Sequence, residues 1–148
     1  MAETEKARVL VVDDEVMIRK MIGALVASLN GEVAASVGDG KAAIESFREF
    51  RPGLVLLDLH MPGTSGIDVL RDIMKIDSAA YVVMLTAEDN PMMAENCANL
   101  GARDFINKTL GPQTIADRIK LALTAVEQAA KADTGDAQAS ATDLIFPV

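Results

Sequence analysis

Tryptophan is absent from the 148-residue chain, and aromatic residues make up only 3% of it. With so few rings, no base-stacking platform for single-stranded nucleic acid can be made out. Cationic side chains are scarce too: 14 lysines and arginines stand against 22 aspartates and glutamates, for a formal net charge of -8. That balance is the reverse of what a general phosphate-backbone binder needs, so direct nucleic-acid binding is not expected. The single cysteine, Cys97, cannot close an internal disulfide and has no Cys or His at metal-ligand spacing, so it reads as a core residue in a reducing compartment. No apolar run approaches the length of a membrane span, and the opening MAETEKARVLVVDDE is charged before a short apolar stretch, unlike a secretory leader. The expected location is the cytoplasm.

What is present is alternation. Half the residues are hydrophobic, enough at this length for one domain with a real core. RVLVV (Arg8 to Val12) is a continuous β-branched run, followed by Ile18, Met21, Ile22, Leu25 and Leu29 on one helical face and a stop at Asn30 and Gly31. EVAASV reads as a second strand, and Ala43, Phe47 and Phe50 share a side of a second helix that ends before Pro52 and Gly53. LVLLD is the third strand; Pro62, Gly63 and Gly66 mark a turn, and Ile67, Leu70, Ile73 and Met74 a third helix. AYVVMLT (Ala80 to Thr86) is the fourth strand, Met93, Cys97 and Leu100 lie at helical spacing after Pro91, and ARDFIN is the fifth strand. Pro112 suits the first turn of a last helix carrying Ile115, Ile119, Leu123 and Val126.

Five strand-helix alternations predict an α/β fold, a doubly wound parallel sheet covered on both faces, because parallel neighbours need helical crossovers. The strand order is borrowed, not read from the residues: the flavodoxin-like 2-1-3-4-5, one of the common orders of such sheets. Residues 1–131 are expected to form this domain. The remainder, 132–148, is small and acidic without periodicity and is expected to be a flexible tail, its Leu144 to Phe146 frayed or docked on the body or a partner.

In such sheets ligands bind beyond the carboxyl ends of the strands, where the winding reverses. The first strand runs into Asp13 and Asp14, the third ends in Asp58, the fourth in Thr86, and Lys108 follows the fifth. Three carboxylates therefore converge, with a hydroxyl and an ammonium opposite. Carboxylates crowded in part-buried surroundings repel one another unless a cation is supplied. Magnesium suits the place, since it takes few protein carboxylates and is commonly completed by phosphate oxygens. Asp58 could then be a nucleophile toward a phosphoryl group, with Thr86 and Lys108 meeting its oxygens. Each residue also has a plainer use: DDE as a helix cap and first turn, Asp58 and Thr86 as strand-end residues, Lys108 and His60 as solvated side chains. Their common position at one sheet edge is what favours the site.

VLVVDDE, LVLLDLHMPGTSG, VVMLTA and GARDFINK together resemble the receiver domain of bacterial response regulators in two-component signalling, over roughly Arg8 to Lys131. The resemblance implies that Asp58 accepts phosphate from a phosphohistidine on a sensor kinase or histidine phosphotransfer protein. It implies that Asp14 and Asp58 hold Mg2+ with the backbone carbonyl of His60, while Asp13 acts through a water on the ion. Thr86 and Lys108 would bind the phosphoryl group, Phe105 would be the switch aromatic beside Thr86, and the side chains of His60 and Glu88 would tune the phosphate's lifetime. The chain departs from the family where Lys108 is followed by Thr109 instead of proline, and Phe105 lacks the hydroxyl of the common tyrosine.

The function expected on this basis is that of a single-domain, chemotaxis-regulator-like response regulator. It is a switch and not a turnover enzyme, signalling to a protein target through the face made by the fourth helix, fifth strand and fifth helix. The alternatives are a phosphorelay intermediate passing phosphate to a histidine phosphotransfer protein, an aspartyl-phosphate phosphatase, and a receiver-like scaffold that takes no phosphate. The phosphatase reading wants an acid two residues beyond the nucleophile, where His60 stands.

Overall fold

The computed structural model describes residues 6–88 and 90–134. Five strands form one parallel sheet: β1 (Arg8–Val12), β2 (Glu32–Val37), β3 (Leu54–Asp58), β4 (Val82–Thr86) and β5 (Asp104–Asn107), in the order β2-β1-β3-β4-β5. Five helices connect and follow them: α1 (Val16–Ser28), α2 (Gly40–Phe50), α3 (Gly66–Ile76), α4 (Pro91–Asn99) and α5 (Pro112–Thr134). This is the doubly wound architecture expected from the alternation, in the flavodoxin-like strand order.

The central strands are apolar throughout because both faces of the sheet are covered. Successive side chains of a strand point to opposite faces, so each strand divides itself between two cores. Leu10, Val12, Val55, Leu57 and Met84 pack with Phe47, Leu70, Ile73 and Cys97, under α2, α3 and α4. Val9, Val11, Leu54, Leu56, Val83 and Leu85 pack with Ile22, Val26, Ile115, Ile119 and Leu123, under α1 and α5. Cys97 is a core residue, as expected: a free, buried thiol whose pKa burial pushes up.

Local chemistry sets the helix starts. Asp39 Oδ1 accepts from Ala42 N at 2.8 Å to cap α2, Ser65 caps α3 through Ile67 N, and Asn90 caps α4 ahead of Pro91 in its first turn. Three bounds differ from the sequence reading. β4 starts at Val82 and not Ala80, because Ala80 N–H closes a turn on the Asp77 carbonyl. β5 starts at Asp104 and not Ala102, whose N–H bonds back to the Cys97 carbonyl at the end of α4. α5 continues to Thr134, past the domain boundary expected at residue 131. The expected contact of Leu144 to Phe146 lies outside the described residues.

A two-stranded antiparallel ribbon, His60–Met61 with Thr64–Ser65, folds the β3–α3 connection into a hairpin. It returns the chain to Gly66 at the start of α3, which lies against the backbone of Asp58 and Leu59. A side chain there would place its Cβ against the Asp58 carbonyl and 2.8 Å from Leu59 Cα, so glycine is required for α3 to start so close to the end of β3.

Candidate acidic site at the switch point

The site follows from strand register. Val12 pairs with Leu57 in the β1–β3 ladder, so the next residues, Asp13 and Asp58, stand abreast where the winding of the sheet reverses. Asp58 pairs with Leu85, which places Thr86 one step further along β4, and Thr86 pairs with Asn107, the residue before Lys108. Parallel pairing thus carries four separate sequence motifs to one edge. Carboxylate oxygens of Asp13, Asp14 and Asp58 lie within 4.8 Å of one another.

Burial divides these acids. Asp13 is fully buried and Asp58 is 3% exposed, whereas Asp14 faces solvent. Lys108, its side chain 8% exposed, donates to Asp13 Oδ2 at 2.9 Å and to Asp58 Oδ1 at 3.4 Å, and lies 3.6 Å from Glu15 Oε1. The backbone N–H of His60 also approaches Asp58 Oδ1, at 3.4 Å. These contacts only partly offset the environment: burial, and then the charge of Asp13, push the Asp58 pKa up from 3.8 to about 6. For Lys108 the outcome is reversed. Burial alone would lower its pKa, but its hydrogen bond to Asp13 and the charges of Asp58 and Asp13 leave it raised.

Asp13 also shapes the chain that follows it. Its Oδ1 accepts from Glu15 N at 2.9 Å, closing the turn into α1, and Glu15 at the N-cap makes no side-chain cap of its own. The Asp13 carbonyl takes a 2.7 Å bond from Arg19 Nη1 one turn into the helix. Gly38 leaves room for that guanidinium, since a Cβ at this position would stand 2.9 Å from the same nitrogen.

Thr86 is fully buried, and its Oγ1 accepts from Glu88 N at 3.1 Å, which leaves the hydroxyl hydrogen for another acceptor. His60 Nε2 and Glu88 Oε1 meet at 2.9 Å, an exposed contact between the β3 hairpin and the β4–α4 loop. Phe105 is half-buried on β5 against the core under α2, α3 and α4. After β5, Lys108–Leu110 form a 3-10 turn, and no cis peptide bond occurs in the described chain, so the Lys108–Thr109 bond is trans. Asp13, Asp14, Asp58, Thr86 and Lys108 therefore occupy one edge; His60 and Glu88 meet each other in the segments that follow β3 and β4, and Phe105 lies on β5. Arg19, Glu15 and the Asn107–Thr109 pair escaped the sequence reading; the hydroxyl two residues beyond Asn107 was the available signal for the last.

A doubly wound sheet with buried acids at its switch point, a hydroxyl at the neighbouring strand end and an ammonium across from both narrows the protein to a small class of α/β domains with an acidic switch-point site. The chain belongs to the response regulator receiver domain family, whose sequence profile matches residues 9–120. It is 34% identical over 112 residues to the chemotaxis protein CheY of Thermotoga maritima, covering 76% of this chain and 93% of that protein. It is 39% identical over 121 residues to the DNA-binding response regulator MtrA of Mycobacterium bovis, covering 82% of this chain but only 52% of MtrA. Its fold is similar to a chain of the CheX-CheY-BeF3-Mg+2 complex from Borrelia burgdorferi, with a TM-score of 0.73 and 30% identity over 76% of this chain and 86% of that one. Receiver domains are signalling switches of two-component systems. Among the described residues no helix is long and apolar enough to cross a membrane.

Proposed function

We propose that this receiver domain is a phosphorylation-driven switch in which Asp58 is the acceptor. A carboxylate oxygen of Asp58 attacks the phosphorus of a phosphohistidine on a sensor kinase or histidine phosphotransfer protein. The phosphorus–nitrogen bond breaks, its electron pair returns to the imidazole, and an acyl phosphate remains on Asp58. The observation that carries this reading is a carboxylate at 3% exposure with its pKa pushed up to about 6, beside a second buried acid and facing a lysine. Such surroundings suit a nucleophile poised for a phosphoryl group and a cation.

The donor set fits a hard divalent ion: three carboxylates with ligand atoms within 4.8 Å and a net deficit of positive charge. Asp14, Asp58 and the His60 carbonyl would hold Mg2+, with Asp13 completing the acidic set. The bound ion supplies neutralisation of the carboxylates and of the incoming phosphoryl oxygens. The Thr86 hydroxyl then donates to one phosphoryl oxygen, and Lys108 transfers its ammonium from the carboxylates to another. These contacts exist only in the phosphorylated protein, so they favour one of two arrangements of the β4–α4 and β5–α5 loops, with Phe105 following Thr86 by packing alone. His60 and Glu88, each two residues beyond a residue of the site and paired with each other, tune the lifetime of the acyl phosphate. The altered face, α4, β5 and α5, is read by a protein target in the cytoplasm. The Borrelia complex, with its BeF3 and Mg+2, supports this reading by likeness.

The test is intact mass after incubation with magnesium and a small acyl-phosphate donor. The unchanged protein gains one phosphoryl group only when magnesium is present, and Asp58→Asn gains none. Equal uptake by both proteins would remove Asp58 from the role.

A further inference from the structure

Lys108 has two tasks that need a fixed position: it bridges Asp13 and Asp58, and by the reading above it meets the phosphoryl group. Its side chain is long and flexible, so that position depends on where the backbone of residue 108 is held. A proline after the lysine would hold it through a fixed backbone angle, but residue 109 is threonine.

The structure shows what stands in its place. Asn107 Oδ1 accepts from Thr109 N at 2.8 Å and from Thr109 Oγ1 at 2.6 Å, so one side-chain oxygen binds two donors of the same residue across Lys108. Asn107 is itself anchored, since it is the last residue of β5 and pairs in register with Thr86. The 3-10 turn that begins at Lys108 is thus capped from the strand end next to the phosphoryl-binding hydroxyl. Gly111, at φ +98 and with open space where a Cβ would stand, lets the chain turn away into α5 without straining this turn.

We infer that Asn107 and Thr109 form a clamp that positions Lys108 through two hydrogen bonds, one of them from a backbone N–H that a proline at 109 would lack. They are positioning residues and touch no substrate. The inference rests on the proposed role of Asp58 for its effect on phosphoryl transfer, but not for its effect on the acids. A loosened Lys108 competes less well with a cation for Asp13 and Asp58, so breaking the clamp should tighten magnesium binding while slowing phosphoryl uptake. General damage to the site would weaken both.

The experiment compares the unchanged protein with Thr109→Ser, Thr109→Val and Asn107→Ala. Magnesium affinity is read by titration calorimetry and phosphoryl uptake from a small acyl phosphate by intact mass. Thr109→Ser keeps both bonds and should match the unchanged protein within about twofold. Thr109→Val keeps only the N–H donor, and Asn107→Ala removes the acceptor of both bonds. Loss of a cap of this kind corresponds to about a fivefold change, so magnesium affinity should rise and uptake fall in the order Ser, Val, Ala, approaching fivefold in the last. Magnesium affinity that is equal in all four proteins, or that falls in the Val and Ala variants, overturns the clamp. If the unchanged protein takes no phosphoryl group, the acceptor role of Asp58 fails, and the clamp is still decided by the order of magnesium affinities.

Discussion

The body of the sheet and its carboxyl edge are built on opposite rules, although they are parts of the same strands. Leu54 to Leu57 are buried apolar residues that add to stability, and the next residue, Asp58, is equally enclosed but is a carboxylate pushed toward neutrality. One residue separates a group the fold uses from a group the fold tolerates. Burial of apolar surface stabilises in rough proportion to area, whereas a buried charge without full compensation costs stability until a counter-ion arrives. The comparison shows why a site of this kind lies where strands end: one step inward the acids would have no access to solvent ions, and one step outward they would be ordinary surface groups.

Substitutions in the two regions should therefore differ in sign. The largest effect is expected in the body, where Leu56→Ala leaves a cavity between β3 and the helices α1 and α5 and costs about 2 to 5 kcal/mol in urea unfolding. At the edge, Asp58→Asn removes the repelled buried charge and, without magnesium at neutral pH, raises stability by about 2 to 3 kcal/mol. A stabilising substitution at a strand end beside a destabilising one two residues earlier would make the contrast plain; a loss at both positions would erase it.

Gly66 joins the two regions. Gly66→Ala must push the end of β3 away from α3, so a cost of about 2 kcal/mol is expected together with slower phosphoryl uptake, both measurable on the same preparation. The smallest effect belongs to Arg19, which holds the Asp13 carbonyl from a half-buried position. Arg19→Gln should cost about 1 kcal/mol, and Gly38→Ala, which fills the space of the guanidinium, should cost a similar amount. Because both act on one contact, the double variant should be hardly worse than either single one. Full additivity would separate Gly38 from Arg19.

The two regions were also unequally legible in the sequence. Strand identity and the two-sided core could be read directly, because β-branched runs and helical periodicity state their own burial. Asp13, Asp14, Asp58, Thr86 and Lys108 could be read as a group because each ends or follows a strand, and parallel order then brings strand ends together. What could not be read depends on loop geometry. Nothing in DDE shows that Asp13 would cap Glu15 N while Asp14 stays exposed, or that Lys108 would lie closer to Asp13 than to Asp58. His60 and Glu88 are 28 residues apart in sequence, and their contact exists because the β3 hairpin leans toward the β4–α4 loop. Thr109 looked like the loss of a proline, and only the position of the Asn107 side chain shows its replacement.

Asp58 is held in the folded chain against its preference for water, a condition that by the proposed function suits it to a cation and a phosphoryl group. Its pKa is about 6 when folded and 3.8 as an ordinary carboxylate, so between about pH 4 and 6 the folded chain binds more protons than the unfolded one. Its contribution to stability is therefore present below this window and is lost as pH rises through it, by about 2 to 3 kcal/mol. The most direct measurement is urea unfolding from pH 4 to pH 7 for the unchanged protein and Asp58→Asn, with and without magnesium; the difference between the two proteins isolates Asp58 from the other carboxylates. Without magnesium, the unchanged protein should lose about 2 to 3 kcal/mol relative to the variant across the window, and magnesium should recover most of this loss. Parallel pH profiles for the two proteins, unaffected by magnesium, would mean that Asp58 is neither strained by its burial nor a ligand of the ion.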